Sequence, residues 1–338
     1  MVAAVVAIWL RNRDILRDVY DYSTLIGAAG KTEAGFRPYT EVRSPMQTSV
    51  YYFNWLSERI FGASYLGLTW GGLVQALLGG FLLSSLLWRQ IGSLNAIWFA
   101  GAIMLAGCIQ HMGFFYNPGG IVCFAVVVVG LARGGCLWPW RGQEAWLVCA
   151  ALFVGGTNKL NFQGLTLAFG GLLVLRSWLA GEITGRAFLG HTLVMSGAGV
   201  VLPFAFELLW TGATPIVWWR EVVAQPTARF EAAKHFLDLR IFLQPANDFH
   251  HHILFRPIGG AGLLLLMLVG GWALQARRAA GARWLELLGI VCLIFGGAAG
   301  SALLMVTNYE TVVLTSLAFL LSALAIFLLA RSEIETVA

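Results

Sequence analysis

The stretch FLGHTLVMSGAGVVLPFAFELLWT, Phe188–Thr211, decides the fold. It holds one carboxylate, Glu207, in an otherwise apolar run longer than the ~20 residues needed to cross a hydrocarbon layer of roughly 30 Å. Further runs of this kind occur at about 65–88, 94–112, 119–132, 144–157, 160–179, 257–275, 284–306 and 310–330, each bounded by Arg, Gly, Pro or a polar cluster. A short apolar segment, Met1–Leu10, precedes them and extends to about Leu16 if its arginines snorkel. These runs predict an all-α polytopic membrane protein of about ten transmembrane helices, with residues 1–338 forming one transmembrane domain. The runs 119–132 and 144–157 are short for a perpendicular crossing, so they are expected to extend into their flanks or to thin the bilayer locally.

Composition agrees with lipid as the solvent. Hydrophobic residues make up 58% of the 338 positions and charged residues 12%, against roughly a quarter charged in a soluble domain. The net charge of +5 raises the question of nucleic acid, but no Lys/Arg cluster interleaved with aromatics stands on a soluble stretch, so nucleic acid is not an expected partner. Cys108, Cys123, Cys149 and Cys292 fall inside apolar runs and Cys136 in a short loop. Their spacing fits neither a disulfide framework nor a zinc site, so they read as small apolar residues with free thiols.

The basic residues have a topological meaning. One set of short connections receives Arg89, then Arg133 and Arg141, then Arg176 and Arg186, then Arg277, Arg278 and Arg283, with Arg331 at the tail. The opposite connections hold only Lys159. The Arg-bearing side is therefore expected to be cytoplasmic, together with the C-terminus. Two long segments, 11–64 and 212–256, then lie outside, where their length exempts them from the charge rule. The expected location is a bacterial cytoplasmic membrane.

The first of these segments carries the most informative pattern. In DYSTLIGAAGKTEAGFRPYTEVRSPMQTSVYYFNWLSERIFGASY, 21–65, Asp21 opens a helical run that ends near Gly35. Beyond it stand Pro38-Tyr39-Thr40-Glu41, a Ser44-Pro45 turn, the aromatic run Tyr51-Tyr52-Phe53-Asn54-Trp55, and Phe61-Gly62 before the next span. This order resembles the first extracytoplasmic loop of the GT-C superfamily of membrane glycosyltransferases, which includes protein mannosyltransferases and the aminoarabinose transferase that modifies lipid A. The shared pattern is an acidic residue, about fourteen positions to a Gly, then Pro-Tyr, a second acidic residue, and a Pro before an aromatic helix. The resemblance implies that Asp21 is the catalytic aspartate and that Glu41 stands at the second acidic position. It covers the first ninety or so residues by motif and the rest by the order of spans and loops. Asp14 and Asp18 are alternatives to Asp21.

Transfer from a lipid-phosphate sugar needs a carboxylate to take or orient the acceptor hydroxyl's proton, and negative charge beside an oxocarbenium-like transition state. Asp21 is the candidate for both. The departing phosphate needs cationic donors, and the arginine fork matches phosphate oxygens. Arg43, Arg220, Arg240 and Arg256 lie in the long segments, with Gln47 as a further donor-binding candidate. Asp21, Glu41 and at least one of Arg43, Arg220 and Arg256 are expected to line one concave site.

Lys159, in Thr157-Asn158-Lys159-Leu160-Asn161, sits at a helix boundary, where charges in multispan proteins face a cavity or partner or snorkel to the interface. Glu207 at membrane depth requires a partner or a raised pKa. In the segment 212–256, aromatic and charged residues alternate at near-helical spacing around Trp218, Trp219, Phe236 and Arg240, which predicts helices lying in the interface. His250-His251-His252 come just after Asp248, but consecutive side chains do not converge on one centre. On an extended segment His250 and His252 could converge on a metal, but the favoured reading is interfacial or substrate-contacting histidines.

Three function classes fit this pattern. The leading one is inverting transfer of a sugar from a polyprenyl-phosphate donor to an extracytoplasmic acceptor, with membrane lipid as the other partner. No cofactor is required, and nothing in the sequence supports a divalent metal. A lipid or solute transporter would show internal repeats and broken helices with mid-membrane polar residues, and no repeat is evident. A catalytically inactive structural subunit, held by partner subunits, is the third.

Overall fold

The computed structural model describes residue 10 and residues 19–42, 46–91, 117–131, 136–179 and 181–224. These form α1 (Val19–Glu33), α2 (Thr48–Phe61), α3 (Tyr65–Ile91), α4 (Asn117–Leu131), α5 (Gly142–Gly156), α6 (Leu160–Leu179), α7 (Gly185–Ser196), α8 (Leu202–Thr211) and α9 (Pro215–Trp219). A π-helical turn, Gly197–Val201, joins α7 to α8, and a second, Arg220–Ala224, comes after α9. Among the described residues there is no β-strand, only a single bridge between Pro38 and Val42.

Where the structure describes them, the apolar runs are helices with closely matching bounds. Among the described residues, three stretches are long and apolar enough to cross a membrane: Tyr65–Leu82, Phe162–Leu179 and the continuous Gly185–Thr211. Of the two short runs, α5 begins two residues before the expected start and is 15 residues long, and α4 is helical throughout its described residues. The expected helices at the N-terminus and at 94–112, 257–275, 284–306 and 310–330 lie outside the described residues.

α4 sits at the centre of the bundle. Phe124–Val129 are all buried, and the cluster around them draws Val148 and Leu152 from α5, Phe162, Phe169 and Leu173 from α6, and Met195 from α7. Where lipid surrounds a bundle, helices associate through close packing rather than by hiding from water, so small residues mark the crossings. Gly120 lies against the Phe162 ring, and a Cβ there would come within 2.6 Å of it. Gly156 meets Pro203 in the same way, also at 2.6 Å.

Of the cysteines the structure describes, Cys123 and Cys136 are buried and Cys149 half-buried, all as free thiols; Cys108 and Cys292 lie outside the described residues. Burial first, and the Glu144 carboxylate second, push the Cys136 thiol up to about 12.

The π turn has a local cause. Pro203 has no N–H to return to Gly199 O, the bond an α-helix would make there. The ladder shifts by one residue, so that Leu202 N–H reaches back five positions to Gly197 O. The side-chain amide of Gln163 on α6 donates to Gly199 O at 2.6 Å and to Leu152 O of α5 at 3.0 Å. One buried amide thereby ties α5, α6 and the π turn together.

Candidate functional site

The site is built where residues 34–42 and 46–50 fold onto one end of the bundle. α1 ends at Glu33 because Gly35 takes φ +81, with Gly35 N–H donating to Thr32 O and Phe36 N–H to Lys31 O. This left-handed cap satisfies orphan helix carbonyls and favours glycine. The residues from Asp21 to the Gly35 cap are thus helical as far as Glu33. Asp21 lies on the first turn of α1; its side chain lies outside what the structure describes.

The chain then makes a tight turn over Arg37–Val42. Tyr39 N–H donates to Val42 O at 2.8 Å, and Glu41 and Val42 N–H return to Arg37 O. Glu41 is exposed, and its Oε2 accepts Arg37 N–H at 2.7 Å, so it closes this turn. Tyr39 sits at φ 68, an uncommon conformation for a bulky residue. That backbone aims its ring inward, to 3% exposure.

The inward ring meets Glu207, which is fully buried on α8. Tyr39 Oη donates to Glu207 Oε2 at 2.7 Å, while Thr48 donates to Oε1 from both N–H, at 3.0 Å, and Oγ1, at 2.5 Å. Thr48 is the first residue of α2, whose own N-cap, Gln47, makes no side-chain cap bond. Glu207 therefore brings a hydrogen-bond acceptor to the orphan donors of the first turn of α2 from another helix. Burial, then the neighbouring carboxylate and the bond to it, hold the Tyr39 phenol well above its ordinary range, so it remains a donor.

The same end of α2 also receives the end of α5. Gln47 Nε2 donates to Gly156 O at 2.8 Å, Ser49 N–H to Thr157 O at 3.0 Å, and the Ser49 and Thr157 hydroxyls lie 2.5 Å apart. The last carbonyls of one helix are satisfied by the start of another. Gln47, expected to bind substrate, is thus engaged with the backbone of α5.

Lys159, in the next turn, is 8% exposed, with Nζ 5.8 Å from the centre of the Phe162 ring. Arg220 extends to solvent at 58% exposure and donates from Nε to Glu221 Oε1, a buried carboxylate, at 3.1 Å. Trp218 packs edge-on to Phe204 at 5.0 Å and joins Tyr39, Ala213 and Val222 in one cluster. The described parts of the two long segments therefore meet over Tyr39. Arg43, Arg240, Arg256, His250 and His252 lie outside the described residues. Among the described residues, no three His, Cys, Asp and Glu side chains gather to hold a metal ion.

Next to this end, α2, α3, α4 and α5 enclose an apolar cleft of about 370 Å³, with Phe53, Ile60, Leu78, Val122 and Leu147 among its walls. Its polar lining includes Asn54, whose Nδ2 donates to Val50 O, and Gln75, whose Nε2 is buried and meets no acceptor among the described residues.

Sequence reasoning identified Glu207 as needing a partner but did not find Tyr39 and Thr48. It also missed Gln163, whose only sequence signal is an amide inside an apolar run. A comparison with protein-family models found no match, and comparisons with curated proteins and solved structures found none either.

Proposed function

We propose that this chain is a membrane glycosyltransferase of about ten spans, moving a sugar from a polyprenyl-phosphate donor to an extracytoplasmic acceptor with inversion. Asp21 acts as the base. The segments 11–64 and 212–256 share the extracytoplasmic side of a bacterial cytoplasmic membrane. The observation that carries this reading is the docking of the first segment: the Pro38-Tyr39 pair beyond Asp21 and Gly35 is anchored through Glu207 to a helix of spanning length. A transferase acting on a lipid-phosphate needs such a loop held at the bilayer surface, where the donor's charged head meets its acceptor. The adjoining apolar cleft suits a hydrocarbon tail.

Turnover of a polyprenyl-phosphate sugar in membranes containing Asp21→Asn is the test. The substitution keeps the shape and removes the proton acceptor, so the rate should fall about 10²–10⁴-fold with donor binding retained. Full activity in Asp21→Asn, Asp18→Asn and Asp14→Asn alike would reject the assignment of the base. Wild-type chain inert towards every such donor would favour a structural subunit.

A further inference from the structure

At the far ends of α5 and α6, away from Tyr39 and Glu207, four tryptophans stand exposed: Trp138 at 43%, Trp140 at 45%, Trp146 at 67% and Trp178 at 42%. They are ordered by contact. Trp140 meets Trp146 edge-on at 5.2 Å, and Trp178 stacks on Phe188 at 5.0 Å. The Trp138 ring lies directly against Gly190 of α7, where no side chain intervenes. Arg186 stands four residues before Gly190 and so on the same helix face, and Arg141 is next to Trp140 in the chain; both are exposed.

An indole has an apolar body and one N–H, which places exposed tryptophans at the boundary between headgroups and hydrocarbon. Arginine at that depth meets lipid phosphates. Two acids, Glu144 and Glu182, share this end. They are outnumbered there by Arg141 and Arg186 together with Arg176, which the helix register puts on the last turn of α6. A surface built of exposed indoles and excess arginine matches a molecule that is anionic at one end and oily at the other.

We propose that this end of the bundle binds an anionic phospholipid. Arg141 and Arg186 meet its phosphate, and the rings of Trp138, Trp146 and Trp178 lie along its glycerol and upper chains. The proposal is independent of the glycosyltransferase reading.

The test is lipid retention by the purified full-length chain, equilibrated with equal phosphatidylglycerol and phosphatidylcholine and read by native mass spectrometry. Wild type should retain phosphatidylglycerol preferentially, and Arg141→Gln/Arg186→Gln should lower that preference on the order of tenfold. A control with the same net charge, Arg37→Gln/Arg59→Gln at the opposite end, should keep it. Equal retention of the two lipids by wild type would overturn the proposal, as would equal losses in the two double variants. Complete displacement of the lipid by millimolar inorganic phosphate would also overturn it, by showing an anion site without a lipid component.

Discussion

The hydroxyl of Tyr39 lies 2.7 Å from Oε2 of Glu207, 168 residues further along the chain, and donates to it. This contact joins a surface turn to a helix of spanning length. Glu207→Ala would leave the Tyr39 hydroxyl and both Thr48 donors without their acceptor, at about 1–3 kcal/mol for each buried orphan. Tyr39→Phe removes one donor and leaves Thr48 on the carboxylate, so it should cost less. Thermal unfolding in detergent should rank wild type above Tyr39→Phe above Glu207→Ala. Protease should cut between Ala34 and Gln47 earliest in Glu207→Ala. Equal stability of all three would mean that the contact does not hold the turn.

The amide of Gln163 tests the cause of the π turn. Gln163→Leu removes the donor to Gly199 O and to Leu152 O, and should cost about 1–2 kcal/mol, towards the upper end for hydrogen bonds inside a bilayer. Replacing Pro203 with Ala in that background supplies a backbone N–H four residues after Gly199. The double variant Gln163→Leu/Pro203→Ala should therefore lose less than the sum of the single variants, measured as a double-mutant cycle. Strict additivity would mean that Gln163 does not substitute for the bond that proline removes.

Glu58 gives the protein a pH dependence. Burial raises its pKa, and its Oε1 is enclosed with no hydrogen-bond partner among the described residues. A carboxyl whose folded pKa lies above its unfolded value stabilises the fold most when protonated, and that contribution is lost as pH rises from the unfolded value through the folded one. The melting temperature should fall as pH rises through this window, and Glu58→Gln should flatten the fall and melt higher at pH 7. The group is only partly enclosed, so the effect should stay below about 1 kcal/mol. An unchanged profile in Glu58→Gln would remove Glu58 as its source.

Topology can be checked by labelling. In a cysteine-free background, single cysteines at Thr32 and Thr227 should both react with an impermeant thiol reagent in intact cells. A cysteine at Arg186 should react only after permeabilisation. Labelling at only one of the first two positions would break the ten-span arrangement.

The helices were legible because each apolar run is fenced by arginine, glycine or a polar turn. The expected 160–179 is Leu160–Leu179 in the structure, and the expected 188–211 lies inside Gly185–Thr211. That a helical run follows Asp21 and stops before Gly35 was legible as well. The site was legible only in part. Local pattern identifies Glu207 as a lone carboxylate, but its partners stand 159 and 168 residues away, and no periodicity encodes that distance. Glu41 and Gln47 could be singled out by type. That one closes its own turn and the other caps a distant helix depends on the tertiary fold.

The π turn at Gly197–Val201 sets the phase of α8 against α7. A π turn takes in one residue more than an α turn, and each residue of an α-helix occupies about 100° of rotation. With the same residues wound as α throughout, Phe206 would stand at the angular position now held by Glu207, and Glu207 at that of Leu208. The Tyr39 hydroxyl and the first turn of α2 would then face an aromatic ring instead of a carboxylate. Losing one residue from the turn while it closes to α would cancel the rotation and return Glu207 to its partners. The anchoring of the first segment therefore depends on a count of residues in a stretch upstream of Glu207, the residue that Tyr39 and Thr48 bond.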